Sequence, residues 1–179
     1  MKYVAFLRAI NVGGHVVKMD VLREQFASLG ISSVETFIAS GNVIFESRAK
    51  PASLQAKIEA QLHASLGYEV ATFIRTIPEV HAISQYKPFS AAAMKSAGAL
   101  CVGFLEQPLN KVAHGTLMRM KTDIDDFHVN GREIYWCCAN GQSDSTFSNA
   151  RMERALSVRA TFRGINTVVR LAAKYPASP

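Results

Sequence analysis

The amino-acid sequence predicts an α+β fold in which one pattern of elements is used twice. Three observations carry that expectation. Short β-rich runs alternate with apolar stripes at helical spacing. Two turn signals, Gly41-Asn42 and Asn130-Gly131, each sit between two such β-rich runs. The order of elements before residue 75 then returns after residue 99.

Taken in order, Tyr3 to Arg8 reads as a buried strand. Met19, Leu22, Phe26 and Leu29 recur at helical spacing, and Gly30 supplies a C-terminal stop. The runs VETFIAS and VIFES flank Gly41-Asn42 and predict a two-residue hairpin. Pro51 suits a first helical turn, Leu54, Ile58, Leu62 and Leu66 make an i, i+4 stripe, Gly67 ends that helix, and Tyr68 to Ile74 follows as a strand. The order is βαββαβ.

A second βαββαβ begins at Ala99. Ala99 to Leu105 is a strand, Pro108 to Arg119 a helix, FHV and EIYWCC a hairpin about Asn130-Gly131, Ser148 to Leu156 a helix, and Arg159 to Phe162 a short strand. Between the copies, Thr76 and Glu79 have the spacing of a capping box opening a helix through Gln85. After the second copy, Ile165, Val168, Val169 and Ala172 form an apolar helical stripe, with Asn166, Arg170 and Lys174 on another face. This is the split βαβ order of ferredoxin-like folds, which close into an antiparallel sheet of order 4-1-3-2. Two tandem ferredoxin-like halves are therefore expected: residues 1–75, a connecting helix and linker over 76–98, and residues 99–179 with a basic C-terminal helix.

The 179 residues are 49% hydrophobic and 19% charged, which suits a globular protein with packed cores. The first run is too short for a signal peptide and no stretch is long enough for a membrane span, so a soluble cytoplasmic protein is expected. Cys101, Cys137 and Cys138 make no CxxC pair and read as buried thiols; no metal site is expected. The net charge is +6. Of this, +5 lies in residues 151–179, where Arg151, Arg154, Arg159, Arg163, Arg170 and Lys174 face Glu153 alone.

In a 4-1-3-2 sheet the loop after the first strand and the hairpin between the second and third lie at one end. That topology brings RAINVGGH toward Ser40-Gly41-Asn42, with Arg8, Asn11, Gly13, Gly14, His15, Lys18, Ser40 and Asn42 as candidate ligand-binding residues. Glycines let backbone N–H groups approach a ligand, the next helix presents its positive end, and Arg8 or Lys18 adds charge: a phosphate or carboxylate is the natural guest. The spacing matches neither a P-loop nor a dinucleotide fingerprint. The same residues also suit a plain reversal at Gly13-Gly14 with Asn11 capping backbone groups. His15 is the candidate acid or base. A second candidate lies at residues 140–154, where Ser143, Ser145, Thr146 and Ser148 crowd a helix start. It continues into a basic surface of Arg159, Arg163, Asn166, Thr167 and Arg170 suited to phosphate or nucleic-acid backbone, or simply to water.

RAINVGG with KMDVLREQFASLG and TFIASGNVIFES resembles the domain-of-unknown-function family 1697 of bacteria. That family's members begin with a strand, a GINVGG loop, a K-x-x-M helix entry and a Y-x-x-SGNV-x-F hairpin. YKPF, NGQSDSTFSNARMERAL and TFRGINTVVRLA are similar to its later motifs. The resemblance implies two ferredoxin-like halves and a terminal helical element, and no established activity or cofactor. Ala9 replaces the family's usual Gly, Asp144 and Thr146 stand where basic residues are common, and Gly164-Ile165 replace Asn-Trp.

Three functional classes follow from the sequence. The first is a binding module for a phosphorylated small molecule or nucleic acid through the RAINVGGH and SGN loops. The second is a metal-independent enzyme acting on a phosphorylated or activated substrate with His15 as acid or base. The third is a protein-interaction subunit.

Overall fold

The computed structural model describes residues 1–11, 16–38 and 41–177. Among the described residues the chain runs β1 (Lys2–Leu7), α1 (Met19–Ala27), β2 (Ser32–Thr36), β3 (Asn42–Glu46), α2 (Pro51–Leu66), β4 (Thr72–Thr76), α3 (Ile77–Gln85), α4 (Ala91–Ser96). It continues with β5 (Ala99–Leu105), α5 (Lys111–Met118), β6 (Asp125–Asn130), β7 (Glu133–Cys138), α6 (Asn149–Leu156), β8 (Ala160–Gly164) and α7 (Ile165–Lys174). The result is an α+β fold with two four-stranded antiparallel sheets, ordered β2-β3-β1-β4 and β6-β7-β5-β8.

Two compact units divide the chain, Met1–His81 with Leu171–Pro179, and Ala82–Arg170. Helix α3 therefore begins in the first unit and ends in the second, while α7 does the reverse. In the first unit, α1 contributes Leu22 and Phe26, and α2 contributes Leu54, Ile58 and Leu62. They form one core with Tyr3, Ala5, Leu7, Val43, Phe45 and Ile74, the alternate residues of the sheet. Each such side chain contributes about 1.5–3 kcal/mol by leaving water. In the second unit, Leu117 from α5 and Met152 and Leu156 from α6 join Cys101, Leu105, Phe127, Ile134 and Trp136. The residues of opposite parity are buried as well: Val4, Phe6, Ile44, Phe73 and Arg75 in one sheet, Val102, Phe104 and Tyr135 in the other.

The two sheets repeat each other at corresponding points. Val4 lies opposite Ile44 and Arg75, and Val102 lies opposite Tyr135 and Arg163. Each arginine donates from Nη1 to the carbonyl of the residue before it, Ile74 at 2.9 Å and Phe162 at 2.8 Å. Each fourth strand runs straight into a helix. At the first such junction the capping box forms, with Thr76 N–H donating to Glu79 Oε2 at 2.7 Å and Glu79 N–H to Thr76 Oγ1 at 3.3 Å.

Some boundaries differ from the sequence reading. Gly41-Asn42 is not a two-residue turn: Phe37 N–H donates to the Asn42 carbonyl at 2.9 Å, and Asn42 already belongs to β3. The linker after Tyr86 holds a helix, α4, capped by the Ser90 hydroxyl at Ala93 N–H. Pro108 stands outside α5, which Asn110 caps instead. The three cysteines are buried free thiols, and burial pushes Cys101 up to about 11.

One buried carboxylate organises the second unit. Asp125, 2% exposed, accepts from Trp136 Nε1 at 2.8 Å, from Ser145 Oγ at 2.8 Å and from Thr122 Oγ1 at 2.9 Å. Burial opposes its ionised form, but these hydrogen bonds outweigh burial and hold the carboxyl below its ordinary range. A group with a depressed folded pKa contributes stability above its unfolded pKa and loses it as pH falls through the folded value. Asp125→Ala should cost about 2–4 kcal/mol at neutral pH, since Trp136 and Ser145 lose a buried acceptor. In thermal melts the gap between parent and variant should narrow as pH drops below about 4; a gap independent of pH would show the carboxylate is not held this way.

Candidate functional site

The exit of β1 and the β2–β3 loop meet at one rim of the first sheet. Leu7 N–H donates to the Gly41 carbonyl at 2.8 Å, and Phe6 pairs with Asn42. Gly41 has φ +70°, and a Cβ there would lie 2.7 Å from Ile10 Cγ2 and 3.1 Å from Leu7 Cβ. Only a residue without a side chain permits this approach. From the α2–β4 segment, the Ala71 carbonyl accepts from Arg8 N–H at 2.8 Å, and Tyr68 Oη donates to the Ile10 carbonyl at 3.2 Å.

The rim already uses several of the polar groups the sequence singles out. Asn11 Oδ1 accepts from Val17 N–H at 2.7 Å, tying together the two ends of residues 12–16. Asn42 is fully buried and its Nδ2 donates to the Phe37 carbonyl at 3.0 Å, so it braces the loop. Lys18 is exposed and occupies the N-cap position of α1, where its side chain makes no capping bond. Arg8 is half-buried at the same rim. Asp20, in the first turn of α1, is paired with Arg23, whose Nη1 also donates to Thr36 Oγ1 at 3.2 Å. Gly13, Gly14, His15 and Ser40 lie outside the described residues, and with them the acid/base expectation for His15.

Backbone strain gathers at this rim. Ala9 has φ +53° and Ile38 φ +58°, both in the left-handed region that disfavours any side chain and a β-branched one most. The family resemblance puts glycine where Ala9 stands, and the backbone supplies the reason.

The second candidate region is largely occupied by structural work. Ser145 binds Asp125 and accepts from Phe147 N–H at 2.9 Å, while Ser148 caps α6 at Arg151 N–H. Arg159 pairs with Glu106 at 3.2 Å. Arg163 is half-buried and donates to Thr161 Oγ1 at 2.8 Å; burial pulls its guanidinium down to about 10, still charged at neutral pH. Asn166 and Arg170 are exposed on α7, and Thr167 is partly covered. Lys174 pairs with Glu35 at 3.1 Å. Much of the C-terminal excess charge is thus answered within the chain. Aromatic residues are also committed: Phe45 and Trp136 belong to the two cores, and Tyr135 is fully buried.

Sequence reasoning missed two constellations. Tyr86 Oη and His128 Nε2 are 2.8 Å apart inside a cluster with Phe89 and Tyr135, and the only hint was His128's place in a period-2 run. At the far end of the first sheet, Lys2, Glu35, Lys174 and Tyr175 come together from three separate stretches, which no local pattern announces. Among the described residues, no group of three or more His, Cys, Asp or Glu side chains is placed to hold a metal ion, and no helix is long and apolar enough to cross a membrane.

The geometry of the rim sets opposite signs for two substitutions. Gly41→Ala should destabilise by about 2 kcal/mol or more, through its positive φ and its clash with Ile10. Ala9→Gly should stabilise by roughly 0.5–1 kcal/mol by relieving a left-handed alanine. Urea unfolding of both variants checks this; equal stability of Gly41→Ala and the parent would mean the loop does not pack on Ile10.

Comparisons with known proteins place the chain. One solved structure matches over 97% of both chains with a TM-score of 0.77 and 22% identity, that of the conserved bacterial protein SP0830 from Streptococcus pneumoniae. At that identity the likeness concerns the fold. No curated protein matches the sequence. The family model described as "Protein of unknown function (DUF1697)" matches residues 1–135, three quarters of the chain and all of the rim, and the protein belongs to that family.

Proposed function

We propose that the protein is a binding module for a phosphorylated small molecule, held at the rim where the β1 exit and the β2–β3 loop meet. The observation that carries this reading is the packing of Gly41 against Leu7 and Ile10, which brings the two segments together. Arg8 follows β1 at this rim, and Lys18 stands at the N-cap of α1, where its side chain makes no capping bond. Gly13, Gly14, His15 and Ser40 belong to the same two segments and complete the proposed ligand-binding set.

A small phosphorylated ligand fits better than RNA or DNA. Ferredoxin-like RNA readers stack bases on an open sheet face, whereas here the residues of both parities are buried in each sheet. Arg159 of the basic tail is paired with Glu106. We further read each unit as ferredoxin-like and the pair as a duplication, with a cytoplasmic location. The repeated strand orders and the matched Arg75 and Arg163 support the duplication.

Calorimetric titration with inorganic pyrophosphate tests the reading. Arg8→Ala should weaken binding by about tenfold and Lys18→Ala by a smaller factor, as expected for the loss of a charge-assisted contact. Identical affinities for the parent and both variants would sink it. Binding to single-stranded RNA that falls steeply with added salt would favour nucleic acid instead.

A further inference from the structure

The opposite end of the first sheet carries a concave surface. There β1 starts, β3 ends, α3 begins and the last turn of α7 arrives. A cleft of about 650 Å³ opens between them, lined by Lys2, Glu46, Ile77, Pro78, Lys174 and Tyr175 among others. That volume is in the range of small-molecule sites.

Its chemistry is specific. The Lys174 and Lys2 ammonium groups stand 5.0 Å and 5.6 Å from the centroid of the same Tyr175 ring. Lys174 is positioned from behind by Glu35, which also accepts from Tyr175 Oη at 2.7 Å; Glu35 is not among the lining residues. These bonds from Tyr175 and Lys174 hold the Glu35 carboxyl below its ordinary range, so it stays an anion that orients both donors. Lys2 contacts Glu46 only at 3.6 Å, with both side chains well exposed, and such pairs hold weakly against a competing anion. The helix end here takes no part in anion binding, because the Thr76–Glu79 capping box occupies it. Ile77, Pro78 and the ring of Tyr175 give the remaining wall an apolar character.

We propose that this cleft binds a small organic anion with an apolar or aromatic body, its anionic group taken by the Lys2 and Lys174 ammonium groups and its body by the Ile77, Pro78 and Tyr175 wall. Two cations and an apolar wall in one cleft of ligand size match that class and reject both neutral aromatics and bare inorganic ions. The site is separate from the rim, which lies beyond the other end of β1.

The test is amide NMR of the Arg8→Ala protein, so that the rim reading does not interfere, titrated with phenyl phosphate, inorganic phosphate and phenol. Phenyl phosphate should shift the amides of Lys2, Ile77 and Tyr175 and bind about tenfold more tightly than either other probe. Lys2→Gln and Lys174→Gln should each weaken it by about fivefold or more. Because Lys174→Gln also removes a partner of Glu35, its circular dichroism melt is recorded, and Lys2→Gln decides the matter if that fold is lost. Shifts absent from these three amides, equal binding of all three probes, or an unchanged affinity in Lys2→Gln would overturn the proposal and leave the rim reading standing.

Discussion

The pairing of β1 between β3 and β4 is the constraint on which the rest of the first unit depends. A central strand hydrogen-bonds on both sides, so its register is set twice, and a slip of one residue would turn Tyr3, Ala5 and Leu7 out of the core. The same register decides what meets at each end. Lys2 must face Glu46 at one end and Phe6 must face Asn42 at the other. The chain leaving Leu7 then has no choice but to pass Gly41. The rim and the cleft at the far end both follow from one set of backbone bonds.

Charge makes a second constraint. The sequence concentrates its positive excess at the C-terminus, which on composition alone suggests a polyanion surface. Folding redistributes that excess: Glu106 answers Arg159, Glu35 answers Lys174, and Arg163 is drawn partly out of water against Thr161. Those partners are 53 and 139 residues away from the cations they meet. Net charge per segment therefore overstates the basic surface, because it counts formal charges before long-range pairing.

What the sequence made legible was local and periodic. The stripe Leu54, Ile58, Leu62, the Pro51 start and the Gly67 stop define α2, and Gly67 adopts φ +79°. The Thr76–Glu79 spacing became the bonds it implied. Elements failed where a tertiary partner outweighed local preference. Gly41-Asn42 reads as a tight turn, but Asn42 is more stable buried, paired with Phe6 and bonded to Phe37, so the turn moves upstream and Ile38 takes the strain. The rim was legible because topology alone brings its two segments together. The Lys2–Lys174 cleft was not, since it needs residues from both ends of the chain and no motif spans them.

The two units share a bond pattern but differ where the first strand of each ends. Leu105 N–H donates to the Arg132 carbonyl at 2.9 Å, just as Leu7 does to Gly41. Yet the second unit turns its hairpin on Gly131-Arg132, one residue later than the Asn130-Gly131 signal in the sequence, because Asn130 stays in β6 and pairs with Glu133. Where Arg8 follows the first strand, Glu106 follows its counterpart and is held by Arg159. The residue after the strand is thus an anion in an ion pair where the first unit has a cation. The left-handed residues Ala9 and Ile38 and the cations Arg8 and Lys18 all lie in the first unit. Strain of about 1–3 kcal/mol per residue persists where the surrounding structure insists on it. In the first unit that strain falls at Ala9 and Ile38, on the two segments that meet at the rim.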